Sequence, residues 1–244
     1  MNGNRSIAII PARYSSSRLP GKPLKEVAGR TLIEHVYRQV ERVRSIDRIL
    51  IATDDARILN AVRAFGGDAV LTRTDHRSGT DRLAEVAAGL PDDTIVVNVQ
   101  GDEPLIEPEA IEAALAAALE RDAAVITLMT PLEDPALIRD PNRVKVVVDR
   151  AGYALYFSRS PIPSSGPAFL HIGLYAYTAG FVKTFAALDP TPLERAERLE
   201  QLRILEHGYR IRVVEVQRES WGIDTPADLE TFQKMLGNRR NGND

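Results

Sequence analysis

Between Pro11 and Leu24 the chain sets Arg13, Arg18 and Lys22 close together, interleaved with Ser15, Ser16, Ser17 and Gly21. Guanidinium forks match pairs of phosphate oxygens and an ammonium adds a point charge, so such a loop can wrap a triphosphate. A solvated basic loop is the plainer alternative. Neither common nucleotide loop is present: Lys22 is followed by Pro23, unlike a P-loop lysine, and no Gly-x-Gly occurs in the chain. The second cluster is Gln100-Gly101-Asp102-Glu103-Pro104, at the end of the apolar run Ile95 to Val99. Gly101 permits a tight bend or the close approach of a ligand, and a carboxylate at Asp102 can hold Mg²⁺ or cap a turn. The third is Asp224, just before Thr225-Pro226, where a helix start favours a carboxylate and capping competes with function. Two carboxylates at strand ends plus a cationic loop suffice for metal-assisted nucleotidyl transfer.

A further set could line a pocket for a polyhydroxylated ligand. The run Leu170 to Thr178 alternates, with His171, Gly173, Tyr175 and Tyr177 on one face, and Arg159 ends the preceding strand pattern. His171 has no partner at metal-ligand spacing, so zinc is not indicated. Glu200, Gln201 and Arg203 fall on a charged helical stretch, Leu193 to His207, ended by Gly208; Arg203 is expected on its solvated face. With no Gly-x-Ser-x-Gly elbow and no cysteine, nucleophilic hydrolysis, disulfides and thiolate metal sites have no support.

The elements that must position these groups alternate in the first half. Apolar β-branched runs at Ile7–Ile10, Arg48–Ala52, Ala69–Leu71 and Ile95–Val99 are separated by helical patterns at Leu32–Val43, Ile58–Phe65, Leu83–Leu90 and Pro108–Glu120. Ser78-Gly79-Thr80-Asp81 reads as a capping box before the third helix, and Thr225-Pro226-Ala227-Asp228 opens the last one. Strands alternating with amphipathic helices predict an α/β, doubly wound, mostly parallel sheet. A hairpin over Val144–Phe157, the loop Pro161–Pro167 and the alternating strand predict an antiparallel insertion lobe over residues 131–217 within a single 1–244 domain. A chain of 244 residues with Lys plus Arg 31 against Asp plus Glu 34, net charge −3, lacks the basic face that nucleic acid demands. No apolar stretch reaches membrane-span length and no signal-peptide core is expected near the N-terminus. The missing cysteines fit a reducing cytoplasm, and the polar end from Gly237 is expected to fray.

In series, these segments resemble the 3-deoxy-manno-octulosonate (Kdo) cytidylyltransferases. The resemblance rests on Ile9-Ile10-Pro11-Ala12-Arg13 through Arg18-Leu19-Pro20-Gly21-Lys22-Pro23-Leu24, Ser78-Gly79-Thr80-Asp81-Arg82 and Asn98-Val99-Gln100-Gly101-Asp102-Glu103-Pro104. Tyr156-Phe157-Ser158-Arg159, His171 through Tyr177, Leu199 through Arg203 and Asp224-Thr225-Pro226 complete it, in order from about Ile7 to Leu229. It implies a nucleotidyltransferase sheet in which Arg13, Arg18 and Lys22 hold the CTP phosphates, with Arg73, Ser78 and Gly79 around the base and ribose. Asp102 and Asp224 would be Mg²⁺ ligands, Lys22 would join them in catalysis, and Gln100, Arg159, His171, Tyr175, Glu200 and Gln201 would contact the sugar acid. It further implies a cytoplasmic homodimer joined through the insertion lobe, supplying CMP-Kdo for lipopolysaccharide. The chain departs from the pattern at Arg77, where members often carry Gln, and in its short loop from Pro163 to Ala168. Competing expectations are an amino-substituted Kdo, sialic acid or a polyol phosphate as acceptor. A glycosyltransferase would carry an Asp-x-Asp motif, which is absent, and a nucleotide sensor would bind CTP without releasing diphosphate.

Overall fold

The computed structural model describes residues 6–16, 18–76 and 78–240, with backbone only for 238–240. Ser17, Arg77 and the chain ends 1–5 and 241–244, for which expectations are given above, lie outside the described residues. In chain order the elements are β1 (Ser6–Ala12), a 3₁₀ turn (Lys22–Leu24), β2 (Glu26–Val27), β3 (Arg30–Thr31), α1 (Leu32–Val40), β4 (Arg48–Thr53) and α2 (Ala56–Ala64). There follow β5 (Ala69–Leu71), α3 (Gly79–Ala87), β6 (Ile95–Asn98), α4 (Pro108–Glu120), β7 (Val125–Leu132), α5 (Pro135–Arg139), β8 (Lys145–Val148) and β9 (Ala154–Ser158). The chain ends with β10 (Ala168–Thr178), α6 (Ala179–Ala187), α7 (Pro192–Glu197), α8 (Gln201–Glu206), β11 (Ile211–Glu215) and α9 (Pro226–Arg240).

The main sheet runs β11-β7-β10-β6-β1-β4-β5. Pairings β1–β4, β1–β6, β4–β5 and β7–β11 are parallel, and β10 runs antiparallel to both neighbours. Both faces are covered, as a parallel sheet requires: along β1, Ala8, Ile10 and Ala12 pack into one core cluster and Ile7 and Ile9 into the other. The predicted α/β class therefore holds. Within 131–217, β10 and β11 are strands of the sheet's interior and edge, and the antiparallel β8–β9 hairpin leaves its main path. The short β2, β3, α5 and the 3₁₀ turn were not foreseen, nor were two longer elements, β7 and α6. β7 follows directly on an alanine-rich helix and contains Pro131, which masks its strand character, and α6 starts without a break from β10, capped by Thr178 accepting from Phe181 N–H.

Candidate active site

The cationic loop leaves the carboxyl end of β1, and Asp102 follows the carboxyl end of β6, beside it in the sheet. Ligands collect at such strand ends in open α/β sheets. The loop is closed by Gly21, whose φ of 67° lies in the left-handed region and whose N–H donates to Tyr14 O at 3.2 Å. A side chain there would be strained and would press on the Tyr14 ring at 3.2–3.3 Å. The Arg57 guanidinium lies 3.3 Å from the centre of the same ring.

The turn that follows aims Lys22 inward. Its Nζ donates to Asp102 Oδ2 at 2.5 Å and to Asp224 Oδ1 at 3.0 Å, and its side chain is 14% exposed. Burial alone would lower the Lys22 pKa, but Asp102 and then Asp224 outweigh it and hold the ammonium above its ordinary value. Arg18 reaches the other Asp224 oxygen at 3.0 Å. Residues far apart in sequence thus meet at one point, Asp102 bordering a cavity with the cationic loop and Asp224 one with Arg18.

Capping does not explain Asp224. The start of α9 is capped by its neighbours: Asp228 accepts from the backbone N–H groups of Asp224 and Thr225 at 3.0 and 2.8 Å, and Thr225 Oγ1 accepts from Asp228 N–H at 3.2 Å. With the helix start so provided for, the Asp224 carboxylate is left to the cations. Asp102 is held by the tight packing of Gly101, where a Cβ would come within 2.6 Å of Pro11 O.

Around this centre are two adjoining cavities. One, of about 380 Å³, is lined by the cationic loop, Asp102 and Gly79. Arg13 is part of that lining, and its buried Nη2 has no hydrogen-bond partner among the described residues. The other, of about 430 Å³, is lined by Asn98, Tyr175, Tyr177, Arg159, Glu200 and Gln201 among others. Pro11, Gly79 and Gln100 belong to both walls, so the cavities meet there. Ser78 forms the expected capping box with Asp81, which aims the start of α3 at this junction. Gln100 is fixed by donating from Nε2 to Gly173 O at 3.1 Å.

Several expected positions differ. The helix expected over Leu193–His207 is two helices, broken at Arg198 with φ 56°. That break turns Glu200 and Gln201 into the second cavity, where Glu200 accepts from Thr80 Oγ1 at 2.6 Å. Arg203 is not solvated: its side chain is 12% exposed and its Nε donates to Glu194 Oε2 at 2.8 Å. Arg159 reaches the wall, but its guanidinium donates to the backbone carbonyls of Glu197, Pro141 and Arg198 at 2.9, 3.0 and 3.4 Å rather than standing free for a carboxylate. Arg73 lies outside both cavities, paired with Asp75 and with a 68% exposed side chain.

His171 borders a third cavity with Arg18 and Asp224 instead of the one that holds Tyr175, although the two rings touch at 5.7 Å between centroids. Its Nε2 lies 2.9 Å from Thr127 Oγ1, whose own proton goes to Leu174 O at 2.8 Å, so the ring donates. Burial pushes its pKa down to about 3, leaving the imidazole neutral. Asn98 and Thr80 were not singled out from sequence, and Tyr177 was named only as sharing the strand face of His171 and Tyr175. For Asn98 the signal was there: an amide inside the apolar run Ile95-Val96-Val97-Asn98-Val99.

Comparison with known proteins gives the lineage. A family model described as cytidylyltransferase matches residues 7–211. A 3-deoxy-manno-octulosonate cytidylyltransferase of Syntrophotalea carbinolica is 55% identical, with 94% of this chain and 97% of the relative covered. One of Solibacter usitatus is 50% identical with 94% of each covered. Among solved structures, a CMP:2-keto-3-deoxy-manno-octonic acid synthetase complexed with CTP superposes with TM-score 0.92 at 42% identity, covering 96% of this chain and 99% of that one. A 4-diphosphocytidyl-2C-methyl-D-erythritol synthase, at TM-score 0.67 and 16% identity, shares the fold. On this footing, the chain belongs to the cytidylyltransferase family.

Proposed function

We propose that this chain transfers CMP from CTP to Kdo, giving CMP-Kdo and diphosphate. The observation that carries the reading is the junction of a cationic cavity with a hydroxyl- and carboxylate-lined one at Gln100 and Gly79. The relatives, which are Kdo cytidylyltransferases, supply the substrates. The acceptor hydroxyl attacks the α-phosphorus, the new O–P bond forms as the bond to diphosphate breaks, and no covalent enzyme intermediate is needed. Arg13 and Arg18 hold the phosphates, and Lys22 stabilises charge growing on the leaving oxygen. Gln100 and Glu200 orient the acceptor, and the start of α3 at Ser78 and Gly79 bounds the nucleotide.

Asp102 and Asp224 suit Mg²⁺. They are oxygen donors, which this hard cation prefers, and an ammonium already bridges them. Among the described residues no group of three or more acidic or histidine side chains is assembled for a metal, so substrate phosphates and water would complete the shell. Bound there, Mg²⁺ would polarise the α-phosphate and make the attacking hydroxyl easier to deprotonate. The chain's own part is to keep both carboxylates in place through Lys22, Gly101 and the α9 cap.

Diphosphate release is measured with CTP, Mg²⁺ and, separately, Kdo, N-acetylneuraminate and methylerythritol phosphate. Release with Kdo and a product of CMP-Kdo mass support the reading; release with another acceptor alone overturns it. Supply of lipopolysaccharide synthesis, a cytoplasmic location and a homodimer belong to the same proposal. Among the described residues no helix is long and apolar enough to cross a membrane. A monomer at working concentration in a sizing experiment would remove the dimer.

A further inference from the structure

The run Val144-Lys145-Val146-Val147-Val148 carries one ammonium where its neighbours are all valine. Lys145 opens β8, its backbone set between Ser158 of β9 and Leu170 of β10, and its side chain is fully buried. A buried ammonium has three protons to place on acceptors. Nζ donates to Asp140 O at 3.0 Å, to Arg159 O at 2.6 Å and to Arg143 O. Asp140 and Arg143 are the two ends of the turn between α5 and β8, and Arg159 belongs to the wall of the second cavity. The Arg159 side chain closes the same knot: Nη1 donates to Pro141 O within that turn at 3.0 Å, and Nε and Nη2 donate to Glu197 O and Arg198 O. The last two carbonyls stand at the α7–α8 break, which turns Glu200 and Gln201 into the second cavity.

We infer that Lys145 is a positioning residue for the acceptor, its ammonium fixing Arg159, and through it the α7–α8 break, at the wall of the second cavity. Lys145 itself borders none of the three cavities around the site, and its three protons are spent on backbone, so it offers nothing to a substrate. It acts through Arg159. Three carbonyls from two separate segments set the plane of that guanidinium, and the turn that supplies one of them is tied at both ends by Lys145. The precision of a site depends on such a supporting shell. Strand pairing holds the Lys145 backbone with or without the ammonium, so losing the charge falls on the turn and on Arg159 rather than on the sheet. The inference rests on the assignment of this cavity to the acceptor.

The test is Lys145→Met, alone and combined with Arg159→Ala. Methionine keeps an unbranched, adaptable stem and leaves the three carbonyls without their donor. Diphosphate release is measured with Kdo varied at saturating CTP, and with CTP varied at saturating Kdo. Lys145→Met should lower kcat/KM for Kdo by roughly 10- to 100-fold through a higher KM for Kdo, with the KM for CTP unchanged, since a misplacement of about 1 Å is enough for such a loss. On the Arg159→Ala background the same substitution should cost less than about threefold, because the group it positions is already gone. Additive losses, an unchanged KM for Kdo, or a KM for CTP that rises in step overturn the inference. Circular dichroism and CTP binding report the fold. If Met prevents folding, Lys145→Gln, which keeps two donor protons, takes its place; if neither variant folds, Lys145 serves the fold alone and the inference falls. Should wild type act on a different acceptor and not on Kdo, the substrate assignment fails; the same pair of substitutions, assayed with the acceptor actually used, then decides the role of Lys145.

Discussion

Replacing Lys22 by Met separates two jobs that the structure gives one ammonium. Lys22 Nζ lies 2.5 Å from Asp102 Oδ2 and 3.0 Å from Asp224 Oδ1. Oxygens that share one nitrogen this way are within about 6 Å of each other, where two unit charges repel by ~3 kcal/mol at an effective dielectric constant of about 20. Their side chains are 31% and 40% exposed, and solvent screening brings that to ~1–2 kcal/mol. In the wild type the ammonium offsets the repulsion and competes with any divalent ion for the pair. In Lys22→Met the repulsion is there for the ion to relieve. The apparent Kd for Mg²⁺ without nucleotide should therefore tighten by about tenfold, read by calorimetric titration. Turnover should move the other way, falling about 100- to 1,000-fold as for the loss of one preorganised donor, read by diphosphate release. Unchanged or weaker Mg²⁺ binding would refute the claim that the two carboxylates seat the ion. Full turnover would remove Lys22 from the chemistry.

Gly101→Ala would set a Cβ 2.6 Å from Pro11 O, a backbone atom that cannot swing away; a loss of about 1–3 kcal/mol in stability is expected, and an unaltered urea midpoint would contradict it. The His171 ring, pushed down to about 3 from 6.5, should remain neutral across pH 5 to 8 by NMR. Because the unfolded chain takes that proton first, this histidine removes stability as pH falls below 6.5; a ring midpoint above pH 5 would count against its burial. Burial would raise the Glu197 pKa, but bonds from Arg159 N–H and the Ser158 hydroxyl, at 2.8 and 2.7 Å, outweigh it and hold the carboxyl below its ordinary 4.5. A depressed carboxyl stabilises above that value and ceases to as pH falls through its folded pKa, so Glu197→Gln should flatten the fall in stability as pH drops below 4.5. Denaturation midpoints against pH check this, and an unchanged slope would refute it.

What the sequence made legible was local. The β-branched runs of β1, β4 and β6 are continuous because both faces are buried, and the capping box at Ser78 needs residues only three apart. The meeting of Lys22, Asp102 and Asp224 was anticipated only as a hypothesis, since a carboxylate at a helix start has two uses; the Thr225–Asp228 cap decides between them. What could not be read was settled by packing between distant segments. Arg203 looks like a surface residue on any helical wheel, yet Glu194 and the Phe185 ring enclose it. Arg159 carries no local sign that its donors go to carbonyls of the α7–α8 break. Arg198, at a left-handed φ that glycine would have advertised, hid the break itself.

The small cluster of Leu19, Val27, Leu32, Ile223 and Phe232 fastens α9 to the loop side of the molecule. One member of the acidic pair therefore arrives on the chain's last segment, through an apolar patch separate from the two large cores. Such a patch can open while the rest of the sheet stays folded. Because Leu19 sits inside the cationic loop, between Arg18 and Lys22, opening this patch would loosen the loop and the second carboxylate together while the two large cores keep the sheet folded.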